Sequence, residues 1–125
     1  MNRFFVVFSI SLGLALLTPA VARAQDAEVG QGLFKRDCGV CHSPLAGKNG
    51  VGPSLSGIVG RPAGTVAGFR YTEANKNSGL TWDVATLDRY LVAPRTAVPG
   101  TTMTYVGQKD DGKRRDLIAY LETLH

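Results

Sequence analysis

Apolar and polar positions recur with the period of a helix in three stretches of this chain, and lose that period between them. From Asp26 to Asp37, Val29, Gly30, Leu33 and Phe34 fall at i, i+1, i+4 and i+5 on one face, with Asp26 placed to cap the first turn. A second pattern runs from Trp82 to Val92, where Val84, Leu87, Tyr90 and Leu91 share a face; Thr81 is the expected cap and Pro94 the stop. The third starts at Asp110 or Asp111 and runs to the end. Leu117, Ile118, Tyr120, Leu121 and Leu124 form its stripe, while Lys113, Arg114, Arg115 and Glu122 fall mostly elsewhere. Thr72 to Asn77, followed by Gly79, has the caps of a single helical turn. Strand-like alternation is absent, so the expected fold is mainly α.

One helical position is expensive. Gly30 costs up to about 1 kcal/mol against alanine inside a helix, and its expected use is the close approach of another helix. The segments without period are rich in turn formers. Residues 43 to 71 contain Pro44, Gly47, Gly50, Gly52, Pro53, Gly57, Gly60, Pro62, Gly64 and Gly68. A second such stretch runs from Pro94 to Lys109 and includes Pro99-Gly100-Thr101-Thr102-Met103. Loops that long are unusual inside a compact domain and need a physical reason.

The amino-terminal end reads as a secretory leader. Arg3 precedes an apolar run of 14 residues, Phe4 to Leu17, and Ala22-Arg23-Ala24 is a small-x-small cleavage site before Gln25. The run is short for a membrane span, although an uncleaved anchor is the other reading of it. Residues 25–125 then form a single domain of 101 residues, and Arg3 and Arg23 leave with the leader, lowering the net charge from +4 to +2. So mild a charge excludes a nucleic-acid binder. The domain is also small enough to benefit from a staple beyond its own apolar side chains.

Cys38-Gly39-Val40-Cys41-His42 supplies the candidate staple. Thiols three positions apart lie about one helical turn from each other and can reach two vinyl groups on one edge of a porphyrin. His42 then stands where a neutral imidazole can bind iron. A disulfide or a thioredoxin-type motif would use the same cysteines, but a redox motif follows a strand, and the pattern before Cys38 is helical. A zinc site needs four ligands, and the only further cysteine or histidine is the terminal His125, which is expected on the surface. Haem c, attached through Cys38 and Cys41, is therefore the expected cofactor. It also gives the loops their reason, because a chain wrapping a flat apolar disc needs turns and close backbone approach.

From about Val29 to Leu124 the chain resembles class I cytochrome c, particularly the small exported bacterial forms similar to mitochondrial cytochrome c. The matching blocks are Gly30 with Phe34, Cys38 to His42, Gly52-Pro53 with Leu55, Gly60-Arg61, Gly68-Phe69 with Tyr71-Thr72, Ala74-Asn75-Lys76, Trp82, Tyr90-Leu91, Pro94, Pro99-Gly100-Thr101 with Met103, and Asp116 to Leu121. The resemblance implies crossed terminal helices, with Gly30 and Phe34 against Leu117 and Tyr120, and short helices and long loops around one covalent haem. It implies iron held by His42 and Met103, the Pro53 carbonyl on His42, and Tyr90 and Thr101 beside the methionine sulfur and the haem. Arg61, Tyr71, Thr72, Asn75 and Trp82 would surround the haem propionates or an internal water.

The function so implied is one-electron transfer by a monomeric periplasmic carrier that is not an enzyme and does not insert stably in a membrane. A haem enzyme with peroxidase-like activity, opened by loss of Met103, is the alternative. Implied partners are redox proteins docking at the exposed haem edge: a quinol-oxidising cytochrome complex or a periplasmic dehydrogenase as donor, and a terminal oxidase, photosynthetic reaction centre or reductase as acceptor. Arg36, Arg95 and Lys109 remain in the regions where the family carries lysines, whereas Thr96 and Thr102 depart from that pattern.

Overall fold

The computed structural model describes residues 24–125, so the expected leader, apart from Ala24, lies outside the described residues. Five helices follow in order: α1 (Ala27–Asp37), α2 (Glu73–Lys76), α3 (Val84–Val92), α4 (Pro94–Ala97) and α5 (Asp111–Glu122). Among the described residues there is no strand, only an isolated bridge between Pro62 and Thr81. No helix among them is long and apolar enough to cross a membrane.

Side-chain caps fix most of the helix starts. The Asp26 carboxylate accepts from the amides of Glu28 and Val29, Thr72 accepts from Asn75, and Asp110 accepts from Lys113. The start of α3 differs from expectation. Asp83, not Thr81, caps it by accepting from Thr86, and the helix begins at Val84. Trp82 is held outside by backbone pairing, donating to the Arg61 carbonyl at 2.9 Å and accepting from Gly60 at 2.9 Å. Pro94 also does more than stop a helix. It opens α4 as its first residue, where its missing N–H costs nothing, so the stretch expected as loop starts with a helical turn.

The terminal helices cross where Gly30 permits. A Cβ at Gly30 would sit 1.9 Å from the Asp116 carbonyl oxygen, so only glycine lets α1 and α5 approach this closely. Phe34 packs on Tyr120 with ring centroids 5.2 Å apart, and the Asp26 amide donates to Asp116 Oδ1 at 3.0 Å. Leu33, Phe34, Leu87, Tyr90, Leu91, Leu117, Ile118 and Leu121 are buried together with Trp82, Ile58 and Val98. Val29 and Val84, placed on buried faces by periodicity, are instead exposed. Arg114, read as lying off the apolar stripe, is buried, as is Asp116.

Candidate functional site

All twelve residues singled out from the sequence, Cys38, Cys41, His42, Pro53, Arg61, Tyr71, Thr72, Asn75, Trp82, Tyr90, Thr101 and Met103, line one cavity of about 390 Å³. Every helix except α4 contributes to its wall or abuts it. The end of α1 leads into Cys38; α3 gives Leu87, Tyr90 and Leu91; α5 gives Leu117 and Leu121. Leu55, Ile58, Leu87, Leu91, Leu117 and Leu121 give this wall a mostly apolar surface that water would otherwise cover, so the residues present suit a large apolar occupant.

Cys38 and Cys41 are free thiols. Burial, aided by the nearby Asp37 carboxylate, pushes the Cys38 thiol up to about 11. The histidine is oriented by a single bond, with Nδ1 2.7 Å from the Pro53 carbonyl oxygen. A carbonyl can only accept, so Nδ1 carries the proton and the Nε2 lone pair is left for a ligand. Burial holds the His42 pKa below its ordinary value, favouring that neutral form over the opposing pull of the Pro53 carbonyl. Gly52 is part of the same arrangement, because a Cβ there would lie 2.3 Å from His42 Cε1. The Gly52 amide in turn donates to the Cys41 carbonyl at 2.9 Å, which fixes the loop against the motif.

Met103 is the other soft donor on the wall. The Tyr90 hydroxyl donates to its sulfur at 3.2 Å, and its amide donates to Thr101 Oγ1 at 3.3 Å. Tyr90 is itself set edge-on to Trp82, with ring centroids 4.7 Å apart. Its phenol is pushed above its usual value by burial, so the hydroxyl stays a donor. Polar groups gather elsewhere on the wall. Arg61 donates to the carbonyls of Ser56 at 2.8 Å and Ser54 at 3.0 Å, which fixes its guanidinium beside the cavity. Tyr71 accepts from the Val66 amide at 3.3 Å, and Thr72 donates to Asn75 Oδ1 at 2.8 Å.

A mostly apolar cavity with a fixed imidazole, a fixed thioether, two thiols and a polar sector fits a porphyrin carrying iron and two carboxylates. Asp37, Arg70, Thr104 and Tyr105 also line it and were not foreseen. Their only signal was adjacency to Cys38, Tyr71 and Met103.

Comparison with known proteins agrees with this geometry. The family model described as Cytochrome c matches residues 27–125. The chain is 47% identical over 118 residues to cytochrome c2 of Blastochloris viridis, covering 94% of this chain and 91% of that protein. It is 50% identical over 117 residues to cytochrome c2 of Rhodomicrobium vannielii, covering 91% and 92% respectively. Among solved structures, cytochrome cH from Methylobacterium extorquens superposes with a TM-score of 0.73 at 46% identity, covering 78% of this chain and 98% of that one.

Proposed function

This chain belongs to the cytochrome c family, and from that premise we propose that it shuttles single electrons through an iron held by His42 and Met103. The family carries one covalent haem c, for which Cys38 and Cys41 are the attachment thiols, and its members are electron carriers rather than enzymes. When bound, the haem supplies a reversible one-electron couple.

The chain's own residues set the properties of that couple. His42, neutral and fixed by Pro53, offers Nε2 as one ligand. The observation that carries the reading is the Tyr90 bond to Met103, because it fixes the thioether within the same cavity. If His42 and Met103 both held the iron, no ligand position would be left for oxygen or peroxide, which disfavours the peroxidase alternative. A soft thioether and an apolar wall both favour ferrous iron and raise the potential. Arg61, Tyr71, Thr72 and Asn75, which line the same cavity, would meet the propionates, and Trp82 and Thr101 would pack or hydrogen-bond at the ring.

Docking is proposed at the cavity mouth, in the periplasm, after cleavage following Ala24 of the leader. Val40, Val51 and Val106 are 80%, 82% and 83% exposed. Val40 lies within the attachment motif, Val51 lines the cavity just before the Gly52 bond to Cys41, and Val106 follows Tyr105 of the cavity wall. Basic side chains lie in this region too, and exposed Arg70 lines the cavity itself. Arg36 bonds Asp37 at 2.6 Å, Arg95 reaches the Met103 carbonyl at 3.5 Å, and Lys109 donates to the Val92 carbonyl. Of these acceptors only Asp37 is charged, so a redox partner would meet exposed valines beside the positive charges of Arg70, Arg95 and Lys109, and the electron-transfer rate with a quinol-oxidising complex, oxidase or reaction centre should fall with ionic strength.

The test is spectroscopic. The oxidised protein should show the weak red absorption band of methionine-bound ferric haem, and Met103→Ala should abolish it. A band that is absent from the natural protein, or that survives in Met103→Ala, sinks the ligand assignment.

A further inference from the structure

Met103 lies in a stretch of chain, from Val98 to Asp110, with no helix or strand of its own. Such a segment has low local stability unless it is tied down, and a neutral thioether competes poorly with stronger ligands unless the backbone delivers it ready-placed. Besides the bonds of Tyr90, Thr101 and Arg95 to Met103 itself, the stretch is tied five residues on at Gln108, whose backbone is gripped from both sides. Its amide donates to the Leu91 carbonyl at the end of α3, at 2.8 Å. Its carbonyl accepts from Arg114 Nη1 at 3.0 Å.

Arg114 is built for that task. It is 6% exposed, and its fork also donates through Nε to Asp88 on α3 at 2.6 Å and through Nη2 to Asp111 at 2.9 Å. A guanidinium with three fixed acceptors joins α3, α5 and the loop in one rigid set of charge-assisted bonds. The contacts beside it admit little slack, since a Cβ at Gly107 would lie 2.1 Å from the Val92 carbonyl oxygen. Arg114 does not line the haem cavity, so it acts on the iron only through the loop.

We propose that Arg114 is a positioning residue for Met103, pinning the far end of the ligand loop so that the thioether outcompetes exogenous ligands. This rests on the reading that Met103 binds iron. The test is titration of the oxidised holoprotein with imidazole, which can bind only where Met103 has left, followed by loss of the red band. Arg114→Met should bind imidazole about tenfold or more tightly than the natural protein. Arg114→Lys, which keeps the charge and loses the fork, should fall between them and covers the case in which Arg114→Met does not fold.

Leu33→Ala provides the control. It removes core packing on α1, away from the loop, and should lower the melting temperature without changing imidazole affinity. Imidazole affinity unchanged in both Arg114 variants overturns the proposal, as does an equal rise in Leu33→Ala. A natural protein without the red band is a separate result: it removes the Met103 assignment and this inference with it.

Discussion

The terminal helices and the loops at residues 43 to 71 solve the same burial problem in opposite ways. α1 and α5 bury apolar faces against each other, through a glycine contact, the Phe34–Tyr120 pair and the Asp26–Asp116 bond. The loop segment has no helix or strand to offer. It is held by short local bonds, such as Ser54 Oγ to the Leu45 carbonyl at 2.7 Å and Leu55 to the Ser43 carbonyl at 2.9 Å. Its apolar residues Leu55 and Ile58 face the cavity. One region is packed by protein alone, and the other needs the cofactor as its second layer.

The strongest way to break this contrast is to remove the anchor. Cys38→Ala with Cys41→Ala prevents covalent attachment and should cost most of the folding free energy, about 5–15 kcal/mol for a domain. Circular dichroism of the purified variant should show most of the helix lost; a cooperatively folded apo protein would refute the dependence. An attack on the other region should look different. Gly30→Ala should destabilise by about 3 kcal/mol, because neither Asp116 nor the Tyr120 Cβ can retreat without separating the helices. Urea unfolding would measure this, and the haem spectrum of the folded fraction should be unchanged; a perturbed spectrum would show that the regions are not separable.

Smaller changes sharpen the contrast. Tyr90→Phe removes the donor to the Met103 sulfur and should cost about 1 kcal/mol, read as a changed reduction potential with little change in helix content. An unaltered potential would show that the hydroxyl does not act on the ligand. The smallest effect is expected at Asp83. Its carboxyl is held below the usual range first by the Thr86 amide and then by the Thr86 hydroxyl. A depressed folded pKa means the cap stabilises above the ordinary carboxylate range and loses that contribution as pH falls through the folded value. The melting-temperature gap between the natural protein and Asp83→Ala should therefore be present at neutral pH and close in acid; a gap that widens in acid contradicts this.

Much of this arrangement was legible from residue patterns, where the signal was local. The α1 and α5 caps and the attachment motif each depend on residues a few positions apart, and the glycine crossing announced itself as a costly glycine inside a helical pattern. What could not be read depends on distant partners. Nothing near Trp82 indicates that Arg61 and Gly60 will pair with its backbone and delay α3 until Val84. Arg114 sits among exposed charges in sequence, and it takes Asp88 and the Gln108 carbonyl, in addition to its near neighbour Asp111, to make its burial tolerable. Pro94 was ambiguous because the same ring that stops one helix can begin another. The site residues were legible as a set because a covalent motif and a family pattern name them together. Tyr105 and Arg70 have no such label.

One bond has a bearing on how the molecule comes to exist. Asp26 and Asp116 are 90 residues apart, and among the described helices α1 packs only on α5. A polypeptide delivered amino end first therefore shows its two thiols to the surroundings while the segment that will cover their helix has still to arrive. Pigmentation can precede closure, and the later arrival of α5 locks the start of α1.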